Sequence, residues 1–412
     1  MGADRWQSDD FLQSSVTATL IDEVRDAPAF RWLFHAILPS THAWPAACQR
    51  NCMPTTATAS PLETTLAQPL ARLMALEATA FPVLSVYLNT QPDQHGHAAD
   101  PLPLLHRELK ALARTWQASS PQRHSFDRDA ERILSYAGAS IDPAARGVAI
   151  FACWGAQEFF ETLQLRTPIN DNRVSADDLP DLFQLALVDE RYPRYAAVLA
   201  NMTSARIFVL GLGQVLAAEQ INGERVHGVK EGAWTQERYQ RRQGNARIEH
   251  AKEVAERLVH LVREDKINHI ILAGEPVVIP LIQKELPREM SALVEVMRLN
   301  FHASEEDVLT ATLKKLSEDE VKSDRGKVER LMQQYRARRL AVAGVQETMA
   351  ALENGQVDEL LISAGLDESS DSSAAERLVT KAKQTDAAVT FIEDVGLLHS
   401  IGGVGAFLRW RS

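Results

Sequence analysis

Cysteine is nearly missing from this chain. Only Cys48, Cys52 and Cys153 occur in 412 residues, an odd number with no second CxxC, so neither a disulfide framework nor a zinc module is written into it. Cys48 and Cys52 have the spacing of half a metal site, but no partner pair follows them. Long apolar runs are absent as well, and nothing approaches the roughly 18–20 residues that span a bilayer. The apolar stretch at 29–38 is broken by Arg31 and His35 and preceded by acidic residues, the wrong flanks for a signal peptide. These absences point to a cytoplasmic chain with no membrane partner. Net positive charge is lacking too: 44 Lys and Arg stand against 55 Asp and Glu, a balance of −11. That excludes a protein coating nucleic acid over a broad surface, and nothing suggests DNA.

The remaining composition, 45% hydrophobic and 24% charged, is that of an ordinary globular chain long enough for two to four domains. The first 60 residues differ from the rest. They hold Trp6, Trp32 and Trp44, three of the seven tryptophans, yet show no helical or alternating period. Residues 1–65 are therefore expected to be unstructured or a mis-assigned extension, with Met53 a candidate start. Beyond them strands and helices alternate. Helices are expected at 66–78, 104–116 and 127–137, and strands at 83–88, 147–152 and 159–165. A second unit opens at about 182, with paired strands at 196–200 and 205–210. A long helix follows, whose Val254, Leu258, Leu261 and Val262 recur at helical spacing. A strand at 269–274, a helix at 276–286, a charged helical stretch at 304–335 and a closing strand–helix–strand unit complete the pattern. The fold class expected is α/β, multi-domain, with three α/β sandwich-like domains and mixed sheets. Their spans are 66–181, 182–325 and 326–412.

The most informative segment is Gly232-Ala233-Trp234-Thr235-Gln236-Glu237-Arg238-Tyr239-Gln240-Arg241-Arg242. From Lys230 to Arg247 there are five Lys and Arg (Lys230, Arg238, Arg241, Arg242, Arg247) against two Glu, Glu231 and Glu237, a local +3 on an acidic chain. A basic tip on an acidic body fits RNA contact at one place. Two plainer readings stay open. Thr235 would cap the helix with Trp234 as a hydrophobic staple, or the arginines would form a solvated face paired with Glu237, Glu249 and Glu253. His95-Gly96-His97 resembles a metal pair but has no nearby acids, and Gly211-Leu212-Gly213 reads as a hairpin turn rather than a nucleotide fingerprint. No metal site and no cofactor is expected.

Two later segments carry a resemblance. Val342-Ala343-Gly344 leads into a helix that Gly355 closes, then Val357-Asp358-Glu359-Leu360-Leu361-Ile362 follows, a pattern similar to the third domain of archaeo-eukaryotic release factors and Pelota. Gly402-Gly403-Val404-Gly405-Ala406-Phe407-Leu408-Arg409-Trp410 resembles the way those domains end. The chain is identified as resembling a bacterial member of the archaeo-eukaryotic class-1 release factor and Pelota superfamily, over about 182–412. Residues 66–181 show none of that family's codon-reading motifs.

The resemblance implies a ribosomal role in the A site, with rRNA and tRNA as partners and a translational GTPase as a further one. It implies Gln236 and Gly232 as the catalytic positions of a Gly-Gly-Gln loop. Lys230, Trp234, Thr235, Arg238, Arg241, Arg242 and Arg247 become the implied RNA contacts. In such a loop glycine freedom allows close approach to RNA and the glutamine region orients a water against the peptidyl-tRNA ester. This sequence departs from that pattern, because Trp234-Thr235 precede Gln236 and Gly232 is the one glycine left. Peptidyl-tRNA ester hydrolysis, rescue or hibernation by binding alone, and an adaptor role away from the peptidyl-transferase centre all remain open.

Overall fold

The computed structural model describes residues 62–92, 100–156, 158–223, 233–368 and 372–411, all within one compact unit. For 233–240, 367–368 and 372 only the backbone is described. Residues 1–61 of the expected extension, with Cys48, Cys52 and Met53, and also His95 and His97, lie outside the described residues, whereas at its end Glu63 N–H donates to Gln164 O at 2.8 Å.

The chain runs through α1 (Ala67–Met74), β1 (Val83–Asn89), α2 (Leu102–Leu112), α3 (Pro121–Ala139), β2 (Gly147–Cys153), β3 (Phe159–Leu165) and β4 (Arg173–Asp177). These strands form the first sheet, in the order β3-β2-β1-β4, and every pairing is antiparallel. A single crossover helix would return the chain for a parallel strand. Two helices, the second capped by Ser120 Oγ accepting from Arg123 N–H, carry it back to the end where β1 finished. Both faces of β1 and β2 are covered, which is why they read as unbroken apolar runs. Leu84, Val86, Val148 and Ile150 pack under α2 and α3. Tyr87, Ala149 and Phe151 pack on the other face with Leu70 and Leu73 of α1.

The next helix, α4 (Phe183–Arg191), falls inside the expected central unit, but its buried side chains lie elsewhere. Leu182, Leu185 and Val188 belong to the core under the first sheet, whereas Phe183, Ala186 and Leu187 belong to the core under the third. One helix, apolar nearly all round, thus serves two cores.

The second sheet has the order β7-β6-β5-β8-β9, from β5 (Tyr195–Ala200), β6 (Ser204–Gly211), β7 (Gln214–Asn222), β8 (Ile270–Gly274) and β9 (Val294–Met297). β5 pairs antiparallel with β6 and parallel with β8, so the sheet is mixed. Leu212 (φ 46°) and Gly213 (φ 64°) form the tight turn from β6 to β7, where both positions require a positive φ. A strand follows that turn, which removes the nucleotide-fingerprint alternative. Between β7 and β8 lies α5 (Ala233–Glu264), and α6 (Ile279–Glu285) and α7 (Arg288–Ser291) precede β9. α5 and α6 cover one face of this sheet with Ala251, Val254, Leu258 and Ile282.

The other face is covered by α8 (Glu305–Arg336), whose Val308 packs there and whose Thr312 Oγ1 is 2.8 Å from Tyr195 Oη. Ser304 and Asp307 form a capping box that fixes where α8 starts. Its far half leaves the second sheet and packs Val328 and Leu331 on the third. That sheet has the order β10-β13-β11-β12, from β10 (Ala341–Ala343), α9 (Val345–Glu353), β11 (Val357–Ser363), α10 (Ser372–Gln384), β12 (Ala388–Ile392), α11 (Val395–Leu398) and β13 (Val404–Leu408). It too is mixed, parallel at β11–β12 and antiparallel at β11–β13. The architecture is therefore α/β, with three sheets each flanked by helices.

Where α8 crosses between cores, its Glu320 and Asp324 meet Glu190 of α4 and Glu393 beyond β12, with Lys327 and Arg191 the nearby cations. Burial pushes Glu190 up to about 8, although its carboxylate accepts the Phe391 backbone N–H at 2.7 Å. Burial likewise pushes Glu320 up to about 7 and Asp324 up to about 6, helped in Glu320 by the charge of Asp324.

Candidate nucleic-acid interface

The segment singled out by its charge is the start of α5, and its geometry is unusual. Among the helix residues whose burial is described, anchoring begins at His250, where His250, Ala251, Val254, Ala255 and Leu258 are buried. His250 sits against Gly223, where the chain leaves β7; a Cβ added at Gly223 would come within 3.0 Å of the imidazole. Burial pushes the His250 pKa down, so the ring is held neutral at the root of the helix.

From 241 to 249 no residue is buried. An added Cβ on Gly244 would meet nothing within 4 Å, so no other part of the described structure packs there. At 1.5 Å per residue, 241–249 carry the helix about 13 Å beyond its first buried residue.

The ion pairs of the helix lie in its anchored half, although Arg263 there is exposed and has no ion-pair partner among the described residues. In the anchored half Arg257 pairs with Glu219 at 2.7 Å, Lys252 with Glu256 at 3.8 Å and His260 with Glu264 at 3.2 Å. In the free half Arg241 and Arg242 are exposed and Arg247 is half-buried. Among the described residues none of the three has an ion-pair partner, so the expected pairing with Glu249 and Glu253 does not form.

The backbone is helical from Ala233, which puts Trp234, Thr235, Gln236 and Arg238 on the helix rather than in a loop. This corrects both sequence readings of Thr235. It does not lie in an open loop, and it is not the cap, because a cap residue lies outside helical backbone. The physical reason is that no residue after Gly232 breaks a helix. Helical spacing sets Arg238, Arg241 and Arg242 on one stripe, three and four residues apart. Gln236 and Arg247, eleven apart, fall on the opposite stripe. Gly232 and Lys230 lie outside the described residues. Gly244 was not singled out from sequence, although a lone glycine within a charged helical stretch was the available signal.

No group of three or more His, Cys, Asp or Glu among the described residues could hold a metal ion, and Cys153 is buried as a free thiol. No helix among them is long and apolar enough to cross a membrane.

Two family models match the chain in succession. The bacterial archaeo-eukaryotic release factor family 10 matches residues 180–317, which contain α5 and the second sheet, and the third domain of eRF1 matches 304–412. The chain is a bacterial archaeo-eukaryotic release factor-like protein. It belongs with translation factors, and the first family spans the whole free helix. Among solved structures, this release factor-like protein is similar to an archaeal translation termination factor, at 20% identity over 84% of this chain and 97% of that one, with a TM-score of 0.25. It is also similar to archaeal Pelota from a model of ribosome-bound Pelota and ABCE1, at 15% identity over 64% and 78%, TM-score 0.40. A third is S. cerevisiae Dom34, a translation termination-like factor interacting with Hbs1, at 11% identity over 65% and 79%, TM-score 0.39. These superpositions are loose, and the family models carry the identification. No curated protein matches the sequence.

Proposed function

We propose that this release factor-like protein acts on the ribosome in the cytoplasm, entering the A site with the free half of α5 directed to the peptidyl-transferase centre, and there rescues or silences stalled particles. The observation that carries this reading is the projecting helix itself. Its Arg241 and Arg242 are exposed, and among the described residues neither they nor Arg247 has an ion-pair partner, on a chain whose net charge is −11. A helix stretch with exposed arginines and no buried residue from 241 to 249 is suited to a surface lined by phosphates. Release-factor membership supplies the ribosome as that surface. A translational GTPase as delivery partner belongs to the same reading.

Binding without chemistry is the favoured form. A water-positioning glutamine in a Gly-Gly-Gln loop relies on glycine freedom, whereas Gln236 sits on helical backbone with Trp234 and Thr235 before it. Ester hydrolysis by Gln236 is the second reading, favoured by Gly232 directly before the helix. Cosedimentation with ribosomes tests the first claim. Replacing Arg238, Arg241 and Arg242 by Glu should abolish it and leave the melting temperature unchanged. Binding that survives the substitution, or that is indifferent to salt, would defeat the proposal. Peptidyl-tRNA release separates the two forms. If Gln236 acts chemically, Gln236→Ala loses on the order of 10²–10³ in rate. If the protein only binds, the wild type releases nothing above background.

A further inference from the structure

A second strongly basic patch lies far along the chain from α5. Helix α8 ends in Arg336, and the chain turns through Arg338, in left-handed conformation at φ 52°, and Arg339 before β10. The segment Arg409-Trp410-Arg411 after β13 lies alongside. Arg411 Nη1 donates to the carbonyl oxygens of Arg338 at 2.6 Å and Arg339 at 3.0 Å, and Leu408 N–H donates to Leu340 O at 3.1 Å. Neither segment contains an acidic residue or a lysine. Arg409 is engaged, with Asp358 at 3.6 Å and the Asp386 carbonyl at 2.7 Å. Arg336, Arg338, Arg339 and Arg411 are exposed and, among the described residues, have no carboxylate partner. Two large apolar residues stand among them uncovered, Trp410 at 50% and Leu340 at 42% exposure. From Arg336 a groove of about 810 Å³ runs along α8, lined by Val328, Met332 and Leu397, with Arg325 and the single acid Glu329 also at its wall.

We infer that this patch is a second nucleic-acid surface, one that takes single-stranded RNA. Such a strand needs cationic groups for its phosphates and a flat aromatic for a base, and this patch offers both within one turn of chain. The guanidinium forks match phosphate oxygens in pairs. The double carbonyl clasp holds Arg411 in place before any ligand arrives, which lowers the ordering cost of binding. Trp410 offers the stacking face and the apolar groove receives a neighbouring base. An acidic peptide would use the arginines and leave the indole and the groove without a role.

The patch does not depend on α5, so its test removes α5 from the measurement. Full-length protein carrying Arg241→Glu and Arg242→Glu is titrated against a short fluorescein-labelled oligouridylate by anisotropy. Adding Trp410→Ala should weaken binding about tenfold, Trp410→Phe should restore most of it, and Arg338→Glu with Arg339→Glu should abolish it. Ultraviolet crosslinks should map to peptides containing 336–340 or 409–411. Unchanged melting temperatures exclude unfolding as the cause. No oligouridylate binding in this background overturns the inference and leaves the α5 reading to its own ribosome test. Crosslinks confined to 233–249, or displacement by polyglutamate with Trp410→Ala without effect, overturn it as well, the latter in favour of an acidic protein partner.

Discussion

Single side chains set how stability depends on pH. Glu190, raised to about 8, Glu320, raised to about 7, and Asp324, raised to about 6, all favour the protonated form in the fold. An acid whose folded pKa lies above its unfolded one stabilises fully below the unfolded value and loses that contribution as pH climbs to the folded value. Their shared window therefore runs from about pH 4 to about pH 8, with stability falling as pH rises. His250 and His269, pushed down by burial, act in the opposite sense and cost the fold as pH falls. Comparing wild type with Glu190→Gln isolates one carboxylate, because the amide oxygen can still accept the Phe391 N–H. The expected outcome is an equal melting temperature at pH 4 and a higher one for the variant at pH 8. A variant less stable than wild type at pH 8 would show that the charged form is the one the fold favours. None of this was legible in the sequence. Glu320 and Asp324 sit in a charged stretch that reads as a solvated face, and only the crossing of α4 under α8 brings Glu190 to them.

Elements were legible in proportion to how apolar they are. The anchored half of α5 was announced by Val254, Leu258, Leu261 and Val262 at helical spacing, and β11 by Leu360-Leu361-Ile362. β4 escaped because all five of its residues are only half-buried and two of them are charged, and β9 because it is four residues long. The start of α5 was misread because a glycine and a family likeness both argued for a loop, while the residues after Gly232 can all be helical. Two substitutions test the elements. Gly244→Ala removes the backbone freedom of a helical glycine where no neighbour needs the space, and should stabilise the free half of α5 by about 1 kcal/mol. Hydrogen exchange at 241–249 should slow roughly fivefold, with the urea midpoint unchanged because no core residue is involved. Faster exchange would mean the space is filled after all. Gly274, at φ 125°, closes β8 against β5, and an added Cβ would stand 2.0 Å from the Ala200 carbonyl oxygen. Gly274→Ala should cost on the order of 3 kcal/mol in urea unfolding; a loss below about 1 kcal/mol would show that the two strands can separate there without penalty.

At the scale of the whole molecule, α4 matters most. A boundary at 182 follows naturally from the sequence, since an apolar segment begins there. The structure shows that 183–188 are buried, and in two directions at once. A fragment of residues 62–181 lacks Leu182, Leu185 and Val188 from the first core and should bind ANS and melt without cooperativity. Extending it to 192 should restore a cooperative transition, while leaving Phe183, Ala186 and Leu187 exposed. If the shorter fragment melts as sharply as the longer, α4 is dispensable to the first sheet.

A rod held firmly at one end moves most at the other, and α5 is such a rod, clamped near His250 and with no buried residue from 249 back to 241. Small bending near the clamp becomes a wide sweep at the tip, while the sheet below stays still. Docking of the body and seating of the tip are then separate events in time. A labelled tip should report two phases on mixing with ribosomes. The first should quicken with particle concentration, and the second should be independent of it.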